Sequence, residues 1–207
     1  MLDIKKLHQA EADFLSQYPG GFSNPVIIEV IKKHRMDKMV SLTNECFSKA
    51  ACSNVEATAD NMVKVISRSS MVSLFEKPKF KGFVQRLNGD EKAFLVNALS
   101  QMLHGNQNAG FEAMVSILAT EKLAKWTLVS IIPAYYAPTR EVFVKPTTAK
   151  GILRHFNIQD PVYKPLPSWD FYKKYRHLIN EGKKQVDPGL SPSNAAFSGF
   201  LMMTFKL

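Results

Sequence analysis

Helical periodicity most constrains this chain. Apolar residues return every three or four positions through most of the first 130 residues, and short polar or glycine-bearing breaks cut that pattern into segments. The clearest segment follows Asp90, which reads as a cap: Phe94, Leu95, Ala98, Leu99, Met102 and Leu103 share one helical face until Gly105 stops it. Leu7, Phe14 and Tyr18 predict a first helix that Pro19-Gly20-Gly21 ends. Asn24 then predicts an N-cap with Pro25 at the first helical position, where its missing N–H costs nothing. Met36 to Phe47 continues the pattern, the next helix starts near Ser53, Pro78 opens a short one that Asn88-Gly89 closes, and another begins near Asn108. Leu123 to Ile132 predicts a buried helix ending at Pro133. Six or seven helices on short turns describe an α-bundle-like body reaching residue 138.

After Thr139 the texture changes. Glu141-Val142-Phe143-Val144-Lys145 alternates like a short strand, and Pro146 leads into a helix whose inner face is Ala149, Ile152, Leu153 and Phe156. Pro161, Pro165 and Pro167 then stiffen a loop carrying Tyr163, and Ser168 caps a long helix with Trp169, Tyr172, Tyr175 and Ile179 inward. Lys173, His177, Asn180 and Lys184 form its outer stripe. The apolar segment from Phe197 to Leu207 would form an adhesive patch if free, so it is expected to dock in the core. The expected fold class is mainly α, with a helical body (1–138) and a small strand-plus-helices subdomain (139–207) packed on it; the short loops also admit one single domain.

Charge follows the same division. The 207 residues carry a net charge of +9, and between Arg140 and Lys184 ten Lys or Arg face four acids, an excess of six. Lysine and arginine satisfy phosphates without sequence-defined geometry, and aromatic rings give unpaired bases a surface to stack on. The candidate nucleic-acid-binding residues are Arg140, Lys145, Lys150, Arg154, Lys164, Lys173, Lys174 and Lys184, with Tyr163 as the stacking ring. A solvated helix face favours lysine too, and aromatics at this spacing are common core residues. Lys150, Arg154 and Asn157 also lie at recognition-helix spacing, but a strand-like segment precedes them and a proline-rich loop follows, unlike a helix-turn-helix.

Chemistry-bearing motifs are absent. The sequence holds no Gly-x-Ser-x-Gly elbow, phosphate-binding glycine loop or dinucleotide fingerprint. Its five histidines form no HxxxH pair. His34 and Asp37 stand three apart on one predicted helix with no third ligand near in sequence, so neither metal nor cofactor is expected. Cys46 and Cys52 are too few for a disulfide framework and read as buried thiols. Met1 to Tyr18 has three acids and no apolar centre, so no secretory signal is expected there. The uncharged run between Lys125 and Arg140 covers 14 residues where a membrane span needs about 20. These features predict a cytoplasmic chain without a membrane partner.

From Lys125 onward the chain resembles a C-terminal pattern in a group of uncharacterised bacterial proteins. The shared marks are Lys125-Trp126-Thr127, Phe143-Val144-Lys145-Pro146-Thr147-Thr148, then Tyr163 and Trp169 ahead of Tyr172 or Tyr175, and a closing Phe197 or Phe200. Where the group places an acidic residue before that aromatic, this chain has Asn194-Ala195-Ala196-Phe197. Some members are associated with restriction and phage-defence genes, so the resemblance implies a nucleic-acid partner; it brings no catalytic residues. Three readings stand: a non-enzymatic accessory protein binding nucleic acid or another polyanion, a protein-interaction or scaffold module anchored by the Tyr163–Trp169 loop, and an enzyme with a dispersed site.

Overall fold

Short polar side chains start most of the helices by taking up backbone N–H groups that the first turn leaves without partners. The computed structural model describes residues 1–205. Asp3 caps α1 (Ile4–Gln17), Asn24 caps α2 (Pro25–Lys32) with Pro25 at its first position, and Asn54 caps α4 (Val55–Arg68). Helix α3 (Met36–Cys46) starts from Arg35, whose φ of 47° is left-handed. Helix α5 spans Glu76–Arg86.

Asn88, not Asp90, caps α6 (Gly89–His104), because its side chain accepts from Glu91 N–H at 3.0 Å while the Glu91 carboxylate accepts from Asn88 N–H at 2.9 Å. This reciprocal box satisfies two backbone donors at once and leaves Gly89 and Asp90 inside the first turn. Asn106 likewise caps α7 (Gln107–Ala119) ahead of Asn108. Helix α8 (Trp126–Tyr136) runs through Pro133 for three further residues.

The expected strand does not form. Residues 141–145 are extended, but no strand occurs among the described residues, and the chain is all-α up to Phe205. The alternation has another cause. Val142 and Val144 are buried in the helical core, and the backbone bonds to side chains in place of a ladder: Val144 N–H donates to Ser130 Oγ at 2.9 Å, and Val142 O accepts from Tyr172 Oη at 3.4 Å. A single extended segment threaded between helices shows the same period as a half-buried strand.

Helices α9 (Pro146–His155), α10 (Trp169–Lys183) and α11 (Asn194–Thr204) complete the fold. One hydrophobic cluster runs from Leu2 to Leu201. Phe197, Phe200 and Leu201 of α11 are fully buried, and Phe200 meets Phe14 of α1 edge-on at 5.2 Å. The expected docking of the apolar 197–207 segment therefore holds for Phe197, Phe200 and Leu201, while 202–205 are partly exposed and 206–207 lie outside the described residues. Helices α6 and α7 pack closely where Gly110 lies: a Cβ there would stand 2.5 Å from Met102 N and 2.6 Å from Ala98 O.

Candidate nucleic-acid interface

The ten cations of the C-terminal third are not equally available, because folding pairs some of them with the four acids in the same segment. Arg176 Nη1 lies 2.9 Å from both oxygens of the buried Glu141 carboxylate and 2.7 Å from Gln107 Oε1, with its guanidinium over the rings of Trp169 and Tyr172. Tyr172 Oη donates to Glu141 at 2.9 Å, and burial beside that carboxylate pushes its pKa well above the usual tyrosine range. Lys174 bridges Asp160 and Asp170, each at 3.0 Å, and these carboxylates hold its pKa above the ordinary lysine value. Lys184 meets Glu181 at 2.6 Å. All four acids are consumed.

Lys183 donates to Thr139 O and to Asn194 Oδ1, and burial with the charge of Lys184 lowers its pKa. Apart from Lys183, six cations are without a carboxylate partner among the described residues: Arg140, Lys145, Lys150, Arg154, Lys164 and Lys173. All six are exposed.

Helix α9 gathers the most coherent subset. Gly151, Ile152 and Leu153 are buried, which turns Lys150 and Arg154 outward four residues apart on the opposite face, with Lys145 at the N-cap. The 157–168 loop folds back beside this face. Lys150 Nζ stands 5.8 Å from the centroid of the Tyr163 ring, and the carbonyl of Lys164 accepts from Trp126 Nε1 at 2.7 Å, which fixes the loop to the core. Tyr163 is half-buried, 5.7 Å from Phe171 in an edge-on contact and 6.4 Å from Trp126. A base stacking on it competes with Lys150 for the ring.

The other predicted residues sit elsewhere. The carbonyl of Arg140 accepts from Asn180 Nδ2 at 2.9 Å, which ties Arg140 to the C-terminal half of α10 near Lys184. Lys173 is exposed on α10 beside the neutralised Lys174. Among the described residues, no hydrogen bond or ion pair links these residues to the α9 face. Lys6 reaches the end of α9 unannounced: its Nζ donates to His155 O at 3.0 Å, and burial, with the Lys6 charge second, lowers the His155 pKa. Lys6 and His155 are 149 residues apart, so no local pattern points to the pair.

Four of the five histidines have structural partners. His104 Nε2 bonds to Phe47 O at 2.8 Å, His8 to Gln185 O at 3.0 Å and His34 Nδ1 to Ser70 Oγ at 2.8 Å, while His155 stacks on Phe205 at 3.8 Å. No group of three His, Cys, Asp or Glu side chains able to hold a metal comes together among the described residues. Cys46 and Cys52 are buried free thiols, and burial raises both pKa values. No described helix is long and apolar enough to cross a membrane. Comparison with protein-family models, curated proteins and solved structures finds no match. The chain's own geometry is therefore what bears on function.

Proposed function

We propose that the protein binds a polyanion, with single-stranded nucleic acid as its principal ligand, through the outer face of α9 and the adjoining loop. One observation carries this reading. The segment's four acids are each paired with Arg176, Lys174 or Lys184, which leaves Lys145, Lys150, Arg154 and Lys164 exposed without a carboxylate partner among the described residues, with Lys150 5.8 Å from the centre of the half-exposed Tyr163 ring. Exposed cations without acid partners attract phosphates, and releasing the condensed counterions drives the association. A proline-stiffened loop fastened by the Trp126–Lys164 hydrogen bond holds Tyr163 in place, which limits the entropy lost on binding. Arg176 and Lys174 are assigned to the fold and not to the ligand.

Four phosphate contacts set a salt slope. On a single-stranded oligothymidylate, log affinity should fall against log salt with a slope of about −3, and on duplex of about −3.6. Fluorescence anisotropy between low and moderate salt measures it. Lys150→Glu with Arg154→Glu should abolish binding without changing the circular dichroism spectrum, while Lys174→Glu should leave the salt slope unchanged. Binding that ignores salt, or survives the α9 double substitution, overturns the reading.

A further inference from the structure

A second surface lies on α2, where an apolar helix is only half covered. At about 100° per residue, the apolar residues of α2 span more than half of its circumference. Ile27, at the centre of that arc, is buried, whereas Val26 and Val30 on one flank and Ile28 and Ile31 on the other are exposed. A second apolar feature stands close by. Leu74 and Phe75 project from the α4–α5 loop with 78% and 81% of their surface exposed. The His34–Ser70 hydrogen bond joins the end of α2 to the start of that loop. Four extended residues reach at most about 14 Å, so Leu74 lies within that distance of the junction. Both features therefore fit inside one standard protein interface, about 800 Å² on each side.

Charge around the patch is one-sided. Glu29 is paired with Lys32 at 3.2 Å, and the Glu76 carboxylate accepts from Thr127 Oγ1 at 2.9 Å. Lys33, Arg35, Lys77 and Lys79 have no carboxylate partner among the described residues and outnumber the two acids without a cationic partner, Asp37 and Glu76. The same positive field acts on His34, whose pKa burial lowers first and the charges of Lys33 and Lys145 lower further.

We infer that α2 and the Leu74–Phe75 loop form the docking surface for an acidic amphipathic segment of a partner protein. Three occupants compete, and geometry separates them. A flat bilayer would meet the crest of α2 first, and that crest is Pro25, Glu29 and Lys32, the polar side opposite Ile27. A second copy of the chain would bring Lys33 and Arg35 against themselves across a two-fold axis, and like charges at an interface cost affinity. A helix laid along one flank of α2 covers its exposed side chains, reaches Phe75 and offers carboxylates to the rim, which is the groove-binding mode of amphipathic helices.

The test uses a designed helical peptide with leucines on one face and glutamates on the other, its scrambled isomer, and the same design with lysines, each followed by fluorescence anisotropy. The expected result is binding of the glutamate peptide at least about tenfold tighter than its scrambled isomer and no binding of the lysine peptide. Phe75→Ser and the pair Val30→Ser/Ile31→Ser should each weaken it by about tenfold, as truncating an interface anchor does. All three positions are exposed, so an unchanged circular dichroism spectrum confirms that the variants fold. Lys150→Glu/Arg154→Glu should leave this binding intact, which keeps the inference independent of the polyanion reading. Equal binding of the scrambled peptide, insensitivity to Phe75→Ser, binding to anionic phosphatidylserine vesicles, or dimerisation of the protein by sedimentation overturns it.

Discussion

Removing the Glu141 carboxylate tests the claim that Arg176 belongs to the fold. In Glu141→Ala the guanidinium loses two 2.9 Å contacts and keeps the Gln107 hydrogen bond and its place over the Trp169 and Tyr172 rings, while the buried Tyr172 hydroxyl is left with Val142 O at 3.4 Å. Breaking a buried ion pair by deleting one partner costs about 3 to 5 kcal/mol, because the other charge stays in a poor solvent. Here the Arg176 side chain is 21% exposed, so part of its charge can be rehydrated and the lower end applies. The lost hydrogen bond from Tyr172 to a charged acceptor adds about 1 kcal/mol. The total is about 3 to 4 kcal/mol, which corresponds to a fall in melting temperature of roughly 6 to 16 °C for a chain of this size.

Urea unfolding followed by tryptophan fluorescence reads this well, since Arg176 lies over Trp169. Glu141→Leu with Arg176→Met should recover most of the loss, because well-packed apolar groups can replace a buried pair at little net cost. A Glu141→Ala penalty under about 1 kcal/mol would refute the reasoning: the pair would then behave like an exposed one, and Arg176 would return to the pool of cations available to a ligand.

Gly110→Ala should destabilise the protein by several times the usual surface substitution, despite alanine's better helix propensity, because its Cβ would meet backbone atoms of α6 that cannot move aside; thermal unfolding checks the sign. Acidification should destabilise the fold through His34 and His155. Both folded-state pKa values lie below 6.5, burial being the first cause, so the unfolded chain binds protons that the native one refuses. Stability present above that value is lost as pH falls below about 6.5, and the pH dependence of urea midpoints should flatten in His34→Asn with His155→Gln.

The sequence announces helices well where local rules govern them. Asn24-Pro25, the Asp90 to Gly105 face and the Ser168 cap need only neighbours a few residues away, and each appears in the structure at or within two residues of its predicted place. The segment from Glu141 to Lys145 misleads for a definite reason. Period two reports a backbone that is extended and faces a core, and both are true here. It does not report whether the backbone's partners are another strand or the side chains of Ser130 and Tyr172. That difference is decided by helices 14 to 30 residues away. In place of the expected strand, an extended thread leads from α8 into the three helices α9, α10 and α11.

Charge behaves the same way at longer range. The segment's excess of six is visible in composition, but its distribution depends on contacts that composition cannot order. Glu141 and Arg176 are 35 positions apart and Asp160 and Lys174 are 14 apart, and both pairs close only after the 157–168 loop and α10 have packed. Folding thus sorts the cations. Those nearest a carboxylate in space become structural, whatever their place in the sequence, and Lys150 and Arg154 on α9 are among those left exposed without a carboxylate partner among the described residues. Because Arg176 is fixed by neutralisation and Lys150 is left exposed, reversing the sign of either should affect different observables: stability for Arg176 and salt-dependent binding for Lys150. That separation follows from the pairing geometry alone.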